Sequence, residues 1–272
     1  MKIAILSPTW GHEHLPLKDF LDKVRSFGYQ GLDTWIPDSL KNKLLLFNYL
    51  EKHQMHFVAH QHQAHGKTFA QFSKSFAKNL DICAEAQPLL INSHTGKDYF
   101  SLEQNLILID IANNFSSRTG IMVTHETHRG RLGYSPQMLN DYFESDREFL
   151  LTADFSHWVC TTESMLENFR PALKKAISLS RHIHARFGYE QGPQVPDPRD
   201  PRWDYAKLKF LSWWDEIVAV NIKIKTKILP ITTEFGPFPY MLNVPFTDQP
   251  LADQFEVNLY VKELLSKRYG IS

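Results

Sequence analysis

Short apolar runs recur along the chain, each followed by a polar cluster and then by a longer amphipathic stretch. The runs fall at 3–6, 31–36, 56–59, 89–92, 120–123, 149–153, 177–183 and 227–232. A half-exposed strand alternates apolar and polar side chains; these runs do not. Unalternating apolar strands belong to a parallel sheet covered on both faces. The stretches between them predict helices over 17–27, 40–53, 69–86, 102–115, 136–144, 165–175 and 205–219, with a last helix over 251–268. Eight strand–helix repeats predict an α/β chain closed as a (β/α)8 TIM barrel, a fold that commonly takes about 250 residues. An open dinucleotide-binding sheet would carry GxGxxG after its first strand, and this chain reads SPTWGHEH there.

No shift in composition divides the chain, so residues 1–272 are expected to form one domain. The one irregular segment is FGYEQGPQVPDPRDPR at 187–202, whose four prolines exclude a helix. Following the seventh strand, it is expected to lie over the C-terminal mouth of the barrel as a lid.

Charge narrows the choice of partners. Lys plus Arg and Asp plus Glu are thirty each, so no net field draws the protein to nucleic acid or anionic lipid. The opening MKIAILSPTWGHEH turns polar too soon for a signal peptide, and no stretch reaches the roughly 18 apolar residues of a membrane span. Cys83 and Cys160 stand in no metal-like or redox-like spacing, which suits a reducing cytoplasm. The expectation is a soluble cytoplasmic protein that binds neither nucleic acid nor membrane. A homodimer or homotetramer is compatible with it.

Histidine changes the picture most. There are thirteen, and most follow the apolar runs. The third strand ends AHQHQAH, with His60, His62 and His65; the fourth ends INSHTGKD, with His94. The fifth ends THETHRGR (Glu126, His128, Arg129, Arg131), the sixth TADFSHW (Asp154, His157), the seventh RHIHAR (His182, His184, Arg186) and the eighth TTEFGP (Glu234). In a barrel these ends converge on one mouth. Carboxylates and neutral imidazoles aimed at one axis repel each other unless a cation neutralises them. Mixed oxygen and nitrogen ligation suits one divalent ion, Mn²⁺, Mg²⁺, Co²⁺ or Zn²⁺. A single acidic residue at a strand end is more often a helix N-cap or a solvated group; four at consecutive ends argue for a site. His182 and His184 share one side of their strand, so either can be the ligand, whereas His125 should face outward beneath a helix.

Several of these segments resemble the xylose-isomerase-like superfamily of sugar phosphate isomerases and epimerases, over essentially the whole chain. HETHRGR resembles the strand-five segment whose glutamate binds metal, DFSH the D-x-x-H of strand six, HIHAR the strand-seven segment and TEFG the terminal glutamate motif. GYQGLDTW, with Asp33 in place of a common glutamate, and NSHTG agree more loosely. The resemblance implies metal ligation by Glu126, Asp154, His184 and Glu234, with Glu126 and Glu234 as base and acid. It places His157 and Arg186 on the substrate, and His94, His62, Arg129, Asp33 and Trp10 are further candidates there. Trp10, Trp35, Trp158 and Trp203 offer apolar faces to a sugar ring or pack the barrel.

The implied activity is isomerisation or epimerisation of a sugar, sugar phosphate or keto-sugar, by proton removal next to a carbonyl and an enediolate. If a leaving group lies β to that proton, the same site is a dehydratase or lyase. Endonuclease IV-like repair enzymes share the architecture with three zinc ions, but their further Asp-x-His pair is missing where this chain reads PDPRDPRW. A sugar-binding protein without turnover would be expected to lack one of the two glutamates, and both are present.

Overall fold

The computed structural model describes residues 1–271. Eight strands close into one barrel, each hydrogen-bonded in parallel to the next and the last to the first. They are β1 (Lys2–Pro8), β2 (Gly31–Thr34), β3 (His56–Gln61), β4 (Leu90–Ser93), β5 (Val123–Glu126), β6 (Leu150–Ala153), β7 (Ser180–Ala185) and β8 (Ile228–Thr233). The helices are α1 (Leu17–Ser26), α2 (Leu40–Lys52), α3 (Phe69–Ala84), α4 (Leu102–Thr119), α5 (Pro136–Phe143), α6 (Phe155–Thr162), α7 (Arg170–Leu179), α8 (Asp204–Lys223) and α9 (Gln254–Tyr269). Among the described residues, no helix is long and apolar enough to cross a membrane.

Alternation along each strand sorts side chains into two cores. Ile5, Leu32, Ile91, Leu151, Ile183 and Ile231 join the layer between sheet and helices. Ala4, Leu6, Val58 and Leu90 form a separate cluster that, with Met122 and Ile228, plugs the inside of the barrel. Next comes a polar layer. Thr124 Oγ1 meets Thr152 Oγ1 at 2.7 Å, Thr152 meets His182 Nδ1 at 3.2 Å, and His182 Nε2 meets Thr232 Oγ1 at 2.8 Å. Thr232 then donates to Asp33 Oδ2 at 2.9 Å. These groups are shut away from water, so each needs its neighbour as a partner.

Two boundaries depart from the sequence pattern. The fifth apolar run, at 120–123, only enters its strand at Val123, because Gly120 is the left-handed cap of α4 (φ 73°). The run at 177–183 is divided between the end of α7 and the start of β7. In place of one helix over 165–175 there are α6 and α7, joined through a short turn at Glu167–Phe169. The sequence pattern hides α6 because Asp154, at the strand end, also serves as its N-cap, accepting from Ser156 N at 3.1 Å.

Segment 187–202 is fastened at several points. Phe187 packs on Trp214, Tyr189 on Trp203, and Val195 N donates to Phe187 O at 2.8 Å. Val195 is fully buried and Gln194 nearly so.

Gly31 begins β2 where a Cβ would lie 2.2 Å from the carbonyl oxygen of His56. Since the backbone of β3 cannot yield, Gly31→Ala should destabilise the fold by about 1–3 kcal/mol. A urea midpoint equal to wild type would show that β2 and β3 can separate locally without loss.

Candidate metal centre

The strand ends bring Glu126, Asp154, His184 and Glu234 together, with one ligand-type atom from each lying within 4.8 Å of the others. All four side chains are buried. His184 Nδ1 lies 2.7 Å from Glu234 Oε2 and 3.6 Å from Glu126 Oε2. Yet neither His184 Nδ1 nor Glu234 Oε2 has a partner in hydrogen-bonding geometry, and Glu126 Oε1 has none either. Three potential ligand atoms of the cluster are thus buried without a hydrogen-bond partner. Asp33 adds a fourth buried carboxylate, against the single buried guanidinium, among the described residues, of Arg186. Unpaired negative charge in a dry site is costly, and a divalent cation would offset most of it. The donor set fits such an ion.

Asp154 is the most committed of the four. Its Oδ1 accepts from Ser156 N and from Ser156 Oγ at 2.5 Å, and its Oδ2 takes an ion pair from Arg186 Nη2. Arg186 also lies 3.4 Å from Glu234 Oε2 and 3.2 Å from His157 Nε2, while its Nη1 is left without a partner. His182 sits in the hydroxyl layer beneath, bonded to Thr152 and Thr232, and the nitrogen that faces Glu126 and Glu234 belongs to His184.

Electrostatics follow from burial and neighbours. Desolvation pushes the Glu234 carboxyl up to about 7, against the opposing pull of Arg186 and His184. Glu126 faces the same desolvation, but His94 and His184 outweigh it and hold its carboxyl well below the usual range. Burial would depress His184; the carboxylates of Glu234 and Glu126 and the bond to Asp33 outweigh it and raise its pKa well above the ordinary imidazole value.

A cleft of about 160 Å³ opens over the centre, lined by Trp10, Asp33, Trp35, His60, His62, His94, His128, Arg186, Glu234 and Tyr240 among others. Of the expected substrate residues, Trp10, His62, His94 and Arg186 reach it. Asp33 also lines it, with Oδ2 bonded to His184 Nε2 and Thr232 and Oδ1 without a partner. His157 is fully buried behind His128, the rings 3.9 Å apart, and Arg129 is exposed with its guanidinium 5.2 Å over the Tyr240 ring. Glu234 borders the cleft directly, whereas Glu126 lies one contact further in, bonded to His94 Nε2 at 3.0 Å and to Asn92 Nδ2 at 2.7 Å. No residue of 187–202 lines the cleft. His125 points away, to Thr95 Oγ1 at 2.6 Å.

Residues outside the expected ligand and substrate sets complete the site. His60 and Asn92 end strands that had already drawn notice. Tyr240 had no sequence signal at all: it folds back from the loop after β8 to stand edge-on to Trp10 at 5.2 Å and over Arg186 at 4.6 Å. That loop is held by three amide side chains. Phe235 N donates to Asn258 Oδ1 at 2.8 Å, and Phe235 O accepts from Asn258 Nδ2 and Gln254 Nε2. Gly236 N donates to Gln194 Oε1 at 2.7 Å and Gly236 O accepts from Gln194 Nε2 at 3.1 Å. The backbone beyond Glu234 is satisfied by side chains from segment 187–202 and α9, which fixes where the carboxylate stands.

No family model matches the chain, and no curated protein matches it. Among solved structures it is similar to a D-tagatose 3-epimerase-like protein, with a TM-score of 0.65 and 14% identity, covering 100% of this chain and 98% of the other. It is similar to the 3-keto-D-glucoside 4-epimerase YcjR from E. coli at a TM-score of 0.62 and 14% identity, over 98% and 100%. Endonuclease IV from Thermus thermophilus matches at 0.57 and 11%, over 100% of both chains. What these likenesses show is the fold, a (β/α)8 barrel over the whole chain. At such identities it is shared by epimerases and a nuclease alike, so the choice between them rests on the residues of the site.

Burial also sets an acid limit on stability. Desolvation first of all holds the imidazoles of His60, His94, His125, His128, His157 and His182 below their ordinary pKa, to about 4 for His125 and His128 and about 3 for His94. The unfolded chain protonates them near 6.5. Between about 6.5 and 4 the unfolded state thus binds more protons, and stability falls as pH falls. His184 and Glu234, held above their ordinary values, act in the opposite sense, but they are two against six. Urea unfolding in chelator at pH 7, 6 and 5 should show a midpoint that declines with acid. A constant or rising midpoint would mean that these rings are hydrated in the native state.

Proposed function

We propose that the protein is a metal-dependent carbohydrate isomerase or epimerase that moves a proton at the carbon next to a carbonyl. The observation that supports this best is the convergence of Glu126, Asp154, His184 and Glu234, three of which keep a buried atom without a hydrogen-bond partner, beside a small cleft at the C-terminal mouth. Sites at that end of a (β/α)8 barrel are where such enzymes work. A divalent ion held by these four residues would supply Lewis acidity toward the substrate's carbonyl oxygen.

The remaining work belongs to the chain itself. Glu234, at the cleft wall, exchanges the proton with the substrate carbon, and Glu126 is its partner for the opposite transfer. Arg186 Nη1, buried and without a partner, donates to a substrate oxygen. Trp10, Trp35 and Tyr240 give apolar faces against which a sugar's C–H groups pack while water is kept out. A cleft of about 160 Å³ suits a single small sugar better than an oligosaccharide. The nuclease reading gains nothing from a chain of zero net charge.

Incubation of the Mn²⁺-loaded protein in D₂O with a panel of ketoses, ketose phosphates, inososes and 3-keto-glycosides tests the reading. Deuterium next to the carbonyl without loss of water is the expected outcome. An unsaturated product would make the enzyme a lyase, and neither outcome across the panel would remove the catalytic reading. On the substrate so found, Glu126→Gln and Glu234→Gln should each lower kcat by at least about 10²-fold. Wild-type turnover in either variant would overturn the two-carboxylate mechanism.

A further inference from the structure

Asp33 was expected on the substrate, and it borders the cleft with Oδ1 free of any hydrogen bond, but its other oxygen is engaged elsewhere. Oδ2 lies 3.0 Å from His184 Nε2 and accepts from Thr232 Oγ1 at 2.9 Å. The imidazole is thereby divided. Its Nε2 edge meets Asp33 Oδ2 as the nearer contact, with the Asn92 amide nitrogen at 3.3 Å, and its Nδ1 edge meets Glu126 and Glu234 and has no hydrogen-bond partner. An imidazole that donates Nε2–H to a carboxylate offers the Nδ1 lone pair on its opposite edge, and a carboxylate partner makes that lone pair more basic.

Asp33 is itself held from below. It stands at the end of the interior chain Thr124, Thr152, His182, Thr232, each within 3.2 Å of the next. The chain crosses four consecutive strands, β5 to β8, before it reaches β2. His182 therefore has a role of its own. It donates or accepts through both nitrogens inside this layer and fixes the hydroxyl of Thr232 that aims Asp33.

We infer that Asp33 is a positioning residue of the metal centre, which through Oδ2 holds His184 as the Nε2–H tautomer and turns its Nδ1 toward the ion. The inference rests on the metal-dependent reading above and adds the atom through which His184 binds and the residue that selects it.

Calorimetric titration of the metal-free protein with Mn²⁺ alone tests it without any substrate. Asp33→Ala and the near-isosteric Asp33→Asn should each weaken Mn²⁺ binding by about 10–100-fold. Asn leaves the volume unchanged, so a loss in that variant does not come from a cavity. Unchanged Mn²⁺ affinity in both variants, with wild type binding normally, would overturn the positioning role and leave the metal centre standing. Wild type that binds no Mn²⁺ would overturn both. A second measurement needs no variant. In protein labelled with ¹⁵N-histidine and loaded with Zn²⁺, long-range proton–nitrogen correlation should show His184 metallated at Nδ1 and protonated at Nε2; the reverse assignment would refute the inference.

Discussion

Everything at the mouth of this barrel follows from burying three carboxylates around one point and a fourth behind His184. Asp33, Glu126, Asp154 and Glu234 are almost free of water, and a single guanidinium, that of Arg186, stands among them. In a low-dielectric interior such a set separates or finds positive charge. The chain partly compensates within itself. Arg186 takes Asp154, His184 stands between Asp33, Glu126 and Glu234, and His94 and Asn92 hold Glu126. What it leaves uncompensated is one buried atom each of Glu126, His184 and Glu234 that no hydrogen bond satisfies. That residue of unmet demand is the chemical opportunity of the site.

The surrounding architecture keeps those groups from relaxing apart. Beneath them the threonine and His182 layer joins β5 through β8 and passes to Asp33 on β2. To one side the amides of Gln194, Gln254 and Asn258 satisfy both backbone groups of Phe235 and of Gly236. Segment 187–202 thus acts as a brace on the loop that follows Glu234. Gly236 belongs to the same arrangement, because a Cβ there would lie 2.3 Å from the ring of Trp10, which forms the cleft wall.

Much of this was legible in the residues. Apolar runs without alternation announced buried parallel strands, the polar residues just after each run, read on a closed barrel, put the candidates on one rim, and the resemblance picked out the four that meet. The spacing between strand ends carries that information because a (β/α)8 closure maps each repeat to a neighbouring place on one rim. Less legible were the roles. Asp154 looks the same in sequence whether it caps α6, pairs with Arg186 or faces an ion, and the structure shows the first two at once. His182 and His184 share a strand face, so only the depth at which each lies in the barrel separates a packing histidine from a facing one.

The sequence by itself determined the eight-fold alternation, the convergence of chemistry at one end and the absence of a net field, since each depends on local periodicity or on composition. Only the tertiary structure decided which way side chains point once there: Asp33 toward His184, His157 behind His128, Tyr240 back over Arg186. Those choices are made by contacts between residues from 29 to 151 positions apart. No pattern along the chain encodes the competition among buried polar groups for the few partners within reach, and it is that competition which sets the geometry of the site.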